Sequence, residues 1–219
     1  MATTDAHGGR PIQIDSRRGP ISCLYHQGPA RGGAVIWVGG TDGGFDGPAG
    51  GIHATLAGDL LVEGISSLRL DFRLHRAPGD VAEGAHDVLA GIRFLDLHDA
   101  GPIALVGHSF GGAVVIAAAA LSRRASAVVT LSTQTSGTEL VPEVSPAALL
   151  LVHGELDRRL PPDCSRYVYS RAREPKELVI LAGAKHSLRQ RRAELRELLR
   201  SWLVARLRPS PESSQDDGA

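Results

Sequence analysis

The sequence predicts a doubly wound α/β fold, in which a mostly parallel sheet of about eight strands opens with an N-terminal hairpin and carries helices on both faces. Three observations lead there. Short apolar runs alternate with longer segments of helical periodicity along nearly the whole chain. Six of those runs lack apolar–polar alternation, as strands buried on both faces require. The 219 residues suffice for one domain with a substantial core and leave little room for two.

Taken in order, residues 11–15 and 21–26 flank Arg17-Arg18-Gly19 and read as the opening hairpin. The six buried strands are residues 34–38 (AVIWV), 67–71 (SLRLD), 103–106 (IALV), 127–131 (AVVTL), 148–152 (ALLLV) and 178–181 (LVIL). Between them, residues 52–63 place apolar side chains at 52, 56, 60 and 61, and residues 81–97 do so at 81, 85, 88, 89, 92 and 95. Residues 110–121 are apolar nearly all round, which suits a helix at the centre of the molecule. Residues 188–207 are amphipathic and close the domain. No repeat or linker divides the chain. A single domain over residues 11–207 is expected, flanked by polar disordered tails at 1–10 and 208–219.

Composition removes several function classes. Twenty-four basic residues balance 24 acidic ones, so the basic excess of a nucleic-acid binder is missing. Arg189, Arg191 and Arg192 are offset by Glu194 and Glu197 and read as a solvated helix face. Residues 1–10 lack the apolar stretch of a signal peptide, and the longest apolar run, 113–121, is too short to cross a bilayer. With Cys23 and Cys164 far apart and outside any CxxC spacing, a reducing cytoplasm is the expected location, with no membrane partner. Nine histidines show no H-E-x-x-H and no Cys–His cluster, so neither a metal nor a cofactor is expected.

The sharpest chemical signal is Gly107-His108-Ser109-Phe110-Gly111, a G-x-S-x-G match. Alone it is weak, but IALV precedes it and GAVVIAAAALS follows, which is the strand–turn–helix setting of a nucleophile elbow. Such a turn needs glycine where backbone and helix approach closely, and it exposes the serine hydroxyl at a helix N-terminus that favours developing negative charge. A serine needs a base, and the base an orienting acid. Asp157 follows strand 148–152 in HGELD, and His186 follows strand 178–181 in GAKHS. Ser109, Asp157 and His186 thus come in the order an elbow predicts, each just beyond the carboxyl end of a strand. Glu155 is the alternative acid.

With these motifs in place, the chain resembles the α/β-hydrolase superfamily over residues 11–207, especially its compact dienelactone-hydrolase-like and small serine-esterase-like members without a cap domain. GHSFGG resembles the family elbow, HGELDRRLPP its acid loop, AKHSL its histidine loop, and LLVEGISSLRLDFR the segment leading from the first crossover helix into the next strand. The resemblance implies a serine hydrolase acting on a small-molecule acyl substrate, a carboxylic ester or thioester, through an acyl-enzyme on Ser109. An acyltransferase using the same triad and a catalytically silent binding protein are the alternatives. It also implies an oxyanion hole made by the Phe110 N–H and one from the loop after AVIWV. That loop reads VGGTDGG where such hydrolases often begin His-Gly, which leaves Gly40 or Thr41 as the second donor. Read as a phosphate cradle, the same glycines match neither G-x-x-x-x-G-K-[ST] nor G-x-G-x-x-G.

Phe45, Leu74 and Leu160, with Phe110, are the expected substrate-contacting walls. His108 and His153 read as packing or hydrogen-bonding residues, and Asp71 and Arg73 as a structural ion pair or loop hydrogen bond rather than substrate contacts. Residues 132–146 are too few for a helical lid. The pocket should therefore be shallow and open, suited to small or exposed acyl groups, unless residues 40–51 fold over it.

Overall fold

A computed structural model describes residues 4–75 and 79–208. Its opening strands, β1 (Arg10–Ile14) and β2 (Ile21–His26), pair antiparallel, as the hairpin reading requires. β3 (Ala34–Val38), β4 (Ser66–Leu70), β5 (Ile103–His108), β6 (Ala125–Leu131), β7 (Ala148–Gly154) and β8 (Lys176–Leu181) complete one sheet. The spatial order is β1-β2-β4-β3-β5-β6-β7-β8, with every pairing from β4 onward parallel.

Burial on both faces explains why the central strands show no alternation. In β3, Val35 and Trp37 point to one face, where α1 (Pro48–Val62) and α5 (Arg192–Leu207) pack. Ala34, Ile36 and Val38 point to the other, against α2 (Val81–Leu97) and α3 (Phe110–Ser122). Val114, Val115 and Ile116 of α3 are all fully buried, which accounts for a helix without a polar face. Asp80 starts α2, its carboxylate accepting the Ala82 and Glu83 N–H groups at 2.9 and 3.2 Å. Inward-facing Leu195, Leu199, Trp202 and Leu203 dock α5, and Arg196 grips Asp59 of α1 through two 2.7 Å hydrogen bonds.

Element boundaries differ from expectation in three places. α1 is assigned from Pro48, four residues early, although it is regular only from Ile52, the expected start, because Ala49, Gly50 and Gly51 have φ of 53°, 69° and 93°. Residues 189–191 form a 3-10 turn, and the closing helix starts at Arg192 rather than 188. A nine-residue helix, α4 (Asp163–Arg171), lies between β7 and β8 where no helix was expected. It buries only Ser165 and Val168, so it leaves no apolar period to read. Asp5, assigned to the N-terminal tail, forms an ion pair with Arg69, and Arg10 already belongs to β1. Residues 1–3 and 209–219 of the expected tails lie outside the described residues.

Candidate active site

β5 runs directly into α3, and the junction is tight. A Cβ on Gly107 would strike the Gly111 carbonyl oxygen, and one on Gly111 would strike that of Gly39. Only glycine lets the strand, the helix and the loop after β3 approach so closely. Between the two glycines Ser109 takes φ 55° and ψ −116°, a conformation that costs a non-glycine residue about 1–3 kcal/mol. Its N–H is held by the Leu131 carbonyl at 2.8 Å. Phe110 is the first residue of α3, so its N–H has no acceptor within the helix.

The loop after β7 supplies Asp157, whose side chain is wholly buried. Its Oδ1 accepts the Arg159 and Leu160 N–H groups at 2.9 and 3.0 Å, and its Oδ2 accepts His186 Nδ1–H at 2.7 Å. Burial by itself would raise the Asp157 carboxyl pKa, but the backbone donor of Leu160 and the His186 ring outweigh it and hold the group below its ordinary 3.8. The acid is therefore ionised. With Nδ1–H committed to Asp157, the other nitrogen of His186 is left free as a base. β7 and the histidine loop touch closely here: a Cβ on Gly154 would lie 2.6 Å from the Ala184 carbonyl oxygen and 2.7 Å from that of Lys185.

Ser109 and His186 line one cavity of about 410 Å³. No side-chain hydrogen bond joins them among the described residues. The opposite wall is residues 39–50, so the loop after β3 does fold along the site. Gly40 packs against the serine, its Cβ position 3.7 Å from Ser109 Cβ, and Thr41 and Phe45 also line the cavity. Leu74 does not: it is 40% exposed and lies at a separate crevice with Phe72 and Phe110. Leu160 does not line it either, and acts through its backbone, donating to Asp157 and accepting from His153 Nε2. Arg189, read as part of a solvated helix face, reaches the cavity, as does Arg159.

One contributor was not apparent from sequence. Arg69 is buried inside β4, donates from Nε to the Phe45 carbonyl at 3.0 Å and pairs with Asp46 at 2.9 Å, which anchors the glycine-rich loop from below. Asp71 accepts the Gly44 N–H at 2.6 Å and contacts His75 Nε2 at 2.8 Å, while Arg73 pairs with Glu83 at 2.9 Å and with Asp87. Asp71 therefore holds the glycine-rich loop, and Arg73 ties the end of β4 to α2 by ion pairs. His108 Nε2 donates to the His186 carbonyl at 3.2 Å, and the two rings lie 5.0 Å apart. Burial, reinforced by the neighbouring His186, holds the His108 pKa down to about 4, so this ring is neutral. Glu155 accepts the Gly183 N–H at 2.8 Å and has no bond to His186, which separates it from the acid role. Among the described residues no group of three His, Cys, Asp or Glu side chains could hold a metal ion, and no helix is long and apolar enough to cross a membrane.

The buried histidines make stability fall in acid. Burial, with the charge of Arg69, lowers the His26 pKa to about 4; burial, with His108 adding to it, lowers that of His53 to about 3. Both folded values lie below the unfolded value of about 6.5, so the unfolded chain binds more protons in between. Stability is therefore full above about pH 6.5 and is lost progressively toward pH 4, by on the order of several kcal/mol. Urea midpoints measured at pH 7.5, 6 and 5 should fall steadily, and His53→Phe should flatten part of the decline. A midpoint constant over that range would contradict the account.

Comparison with known proteins gives concordant results. A family model of the α/β hydrolase fold matches residues 82–208. The uncharacterized protein YfhR of Escherichia coli O157:H7 is 34% identical over 77 residues, covering 34% of this chain and 27% of that protein. The match thus spans about a quarter of the curated relative's length. Among solved structures, Est1E from Butyrivibrio proteoclasticus superposes with a TM-score of 0.79 at 17% identity, covering 90% of this chain and 98% of its own. A dienelactone hydrolase from Anabaena variabilis gives 0.79 at 17% identity, covering 91% and 98%. XC6422 from Xanthomonas campestris, described as a serine hydrolase without lid, gives 0.71 at 17% identity, covering 93% and 97%. At such identities the likeness concerns the fold.

Proposed function

The chain belongs to the α/β-hydrolase fold family, and from that premise we propose that it is a serine hydrolase cleaving a carboxylic ester or thioester through an acyl-enzyme on Ser109. The observation that carries this reading is the 2.7 Å bond from His186 Nδ1 to the ionised Asp157, with the His186 ring opening onto the cavity that Ser109 lines. As the Ser109 oxygen attacks the substrate carbonyl, its proton passes to His186 Nε2, and Asp157 stabilises the imidazolium. The oxyanion is received by the Phe110 N–H and that of Gly40 or Thr41, assisted by the N-terminus of α3. Collapse expels the alcohol or thiol, which leaves with the proton from His186. Water then gives a proton to the same ring and attacks the acyl carbon, and the acid is released as Ser109 regains its hydrogen.

The strained elbow supports the assignment, because backbone strain of this kind persists where function requires it. The cavity is walled largely by glycine-rich backbone and polar side chains, with few apolar surfaces for a long chain, which suits a short acyl group. A reducing cytoplasm is the proposed location, on the wide sequence separation of Cys23 and Cys164 and their lack of CxxC spacing.

Turnover of p-nitrophenyl acetate, butyrate and octanoate tests the proposal. The two short esters should be hydrolysed, with octanoate at least tenfold poorer in kcat/KM (about 1.4 kcal/mol). Activity should also decline on acidification, because a protonated His186 cannot accept the serine proton. Octanoate as good as butyrate would contradict the short acyl site, and activity unchanged in acid would contradict the base.

A further inference from the structure

Asp157 receives more donors than its ring partner alone requires. Besides the two backbone N–H groups on Oδ1, its Oδ2 is approached by two histidines, His186 Nδ1 at 2.7 Å and His153 Nε2 at 3.2 Å. His153 is a β7 residue with its side chain fully enclosed. The hydrogen on its ring can be located from its partners. Nε2 lies 2.9 Å from the Leu160 carbonyl and near the Asp157 carboxylate, both of which only accept, so Nε2 carries the hydrogen. Nδ1 lies 2.6 Å from Ser165 Oγ and accepts the hydroxyl hydrogen. Every polar atom of the ring is therefore committed, and Ser165 of α4, itself fully buried, locks the far side. Burial, the largest influence, lowers the His153 pKa and keeps the ring neutral.

We propose that His153 is a positioning residue of the catalytic site: by sharing its Nε2–H between the Leu160 carbonyl and the Asp157 oxygen that also receives His186, it fixes the carboxylate's orientation and sets how tightly His186 holds a proton. This rests on the Ser109–His186–Asp157 reading and extends it. The physical argument is competition for one oxygen. A carboxylate oxygen that accepts two hydrogen bonds offers less negative charge to each donor. Removing one donor strengthens the pull on the other, which stabilises the imidazolium and makes His186 a group that is harder to deprotonate. Within this chain the arrangement also gives α4 a role, since Ser165 is one of only two buried residues on that helix.

The other charged and titratable groups around the pair do not occupy Oδ2. His186 faces the neutral His108 ring from the end of β5, and Arg159, Arg189, Asp42 and Asp46 line the same cavity. On the α4 side, burial, with the charges of Asp157 and Asp163 adding to it, raises the Cys164 thiol pKa and keeps it protonated.

His153→Asn and His153→Gln separate the two functions of the ring. An asparagine amide ends near the position of Nδ1 and can satisfy Ser165 without reaching Asp157. A glutamine amide extends to the position of Nε2 and restores a donor to Oδ2. The readouts are NMR titration of ring-labelled His186 and the pH dependence of fluorophosphonate labelling at Ser109. His153→Asn should raise the His186 midpoint and the acidic limb of labelling by about half to one pH unit. His153→Gln should restore both toward wild type. A folded His153→Asn protein that titrates as wild type would overturn the proposal, leaving His153 a packing residue. Should that variant not fold, Ser165→Ala frees Nδ1 without touching Asp157; a smaller upward shift is expected there, and none would equally overturn the proposal. If Ser109 fails to label in every protein, the acyl-enzyme reading fails, while the His186 titration still decides the role of His153.

Discussion

Ser109→Ala should lower kcat on a short p-nitrophenyl ester by on the order of a million-fold, with the fold intact. The substitution removes the one atom that forms the acyl bond. His186, Asp157 and the N-terminus of α3 remain, but they act on that oxygen and have no substitute for it. Stability should barely change. Alanine meets the same φ of 55° as serine, and the Ser109 backbone bonds to Leu131 and Gly112 do not involve the hydroxyl. Steady-state kinetics and a thermal melt on one preparation decide the matter. Residual activity above about one per cent, with the melt unchanged, would remove Ser109 from the nucleophile role.

Asp157→Asn should lower kcat by about 10³–10⁴-fold, because its two oxygens face donors only. Oδ1 accepts Arg159 and Leu160, and Oδ2 accepts His186 and His153. An asparagine has one acceptor oxygen, so either orientation turns its NH₂ against an N–H. Facing the rings, it leaves His186 Nδ1–H without an acceptor and releases the productive tautomer. Facing the backbone, it loosens the loop that carries the residue. An accompanying loss of about 1–3 kcal/mol in unfolding free energy follows from the unpaired buried groups. Glu155→Gln is the control: Glu155 touches the Gly183 N–H rather than His186, so its change should be within a few-fold. The opposite ranking would move the acid to Glu155.

How much was legible in the sequence depends on whether a residue's role is local. Central strands such as β3 and β7 announce themselves because both faces are buried, and α3 because it is enclosed on all sides. Ser109, Asp157 and His186 were readable as candidates because each follows such a strand, and parallel strands bring their carboxyl ends to one edge. Contacts made across the fold were not readable. Arg69 looks like a polar interruption in SLRLD, yet it holds the loop that contains Phe45 and Asp46, more than twenty residues earlier. Leu160 contributes through backbone atoms, which sequence does not distinguish, rather than as the pocket wall its apolar side chain suggests. Leu74 stands only four residues beyond β4, but the chain there turns toward Phe72 and Phe110 rather than Ser109. His153 did carry a signal, since it stands four residues before Asp157 in HGELD and both belong to one strand–loop unit. Its partner Ser165 had none, because α4 shows no apolar period.

The most direct test of the central claim is mass spectrometry of the intact and digested protein after reaction with a fluorophosphonate at neutral pH. The account predicts one adduct per chain, on the peptide containing Ser109, and its loss in Ser109→Ala. A folded protein that takes up no adduct, or takes it up at another residue, would contradict the claim that this elbow is a working nucleophile.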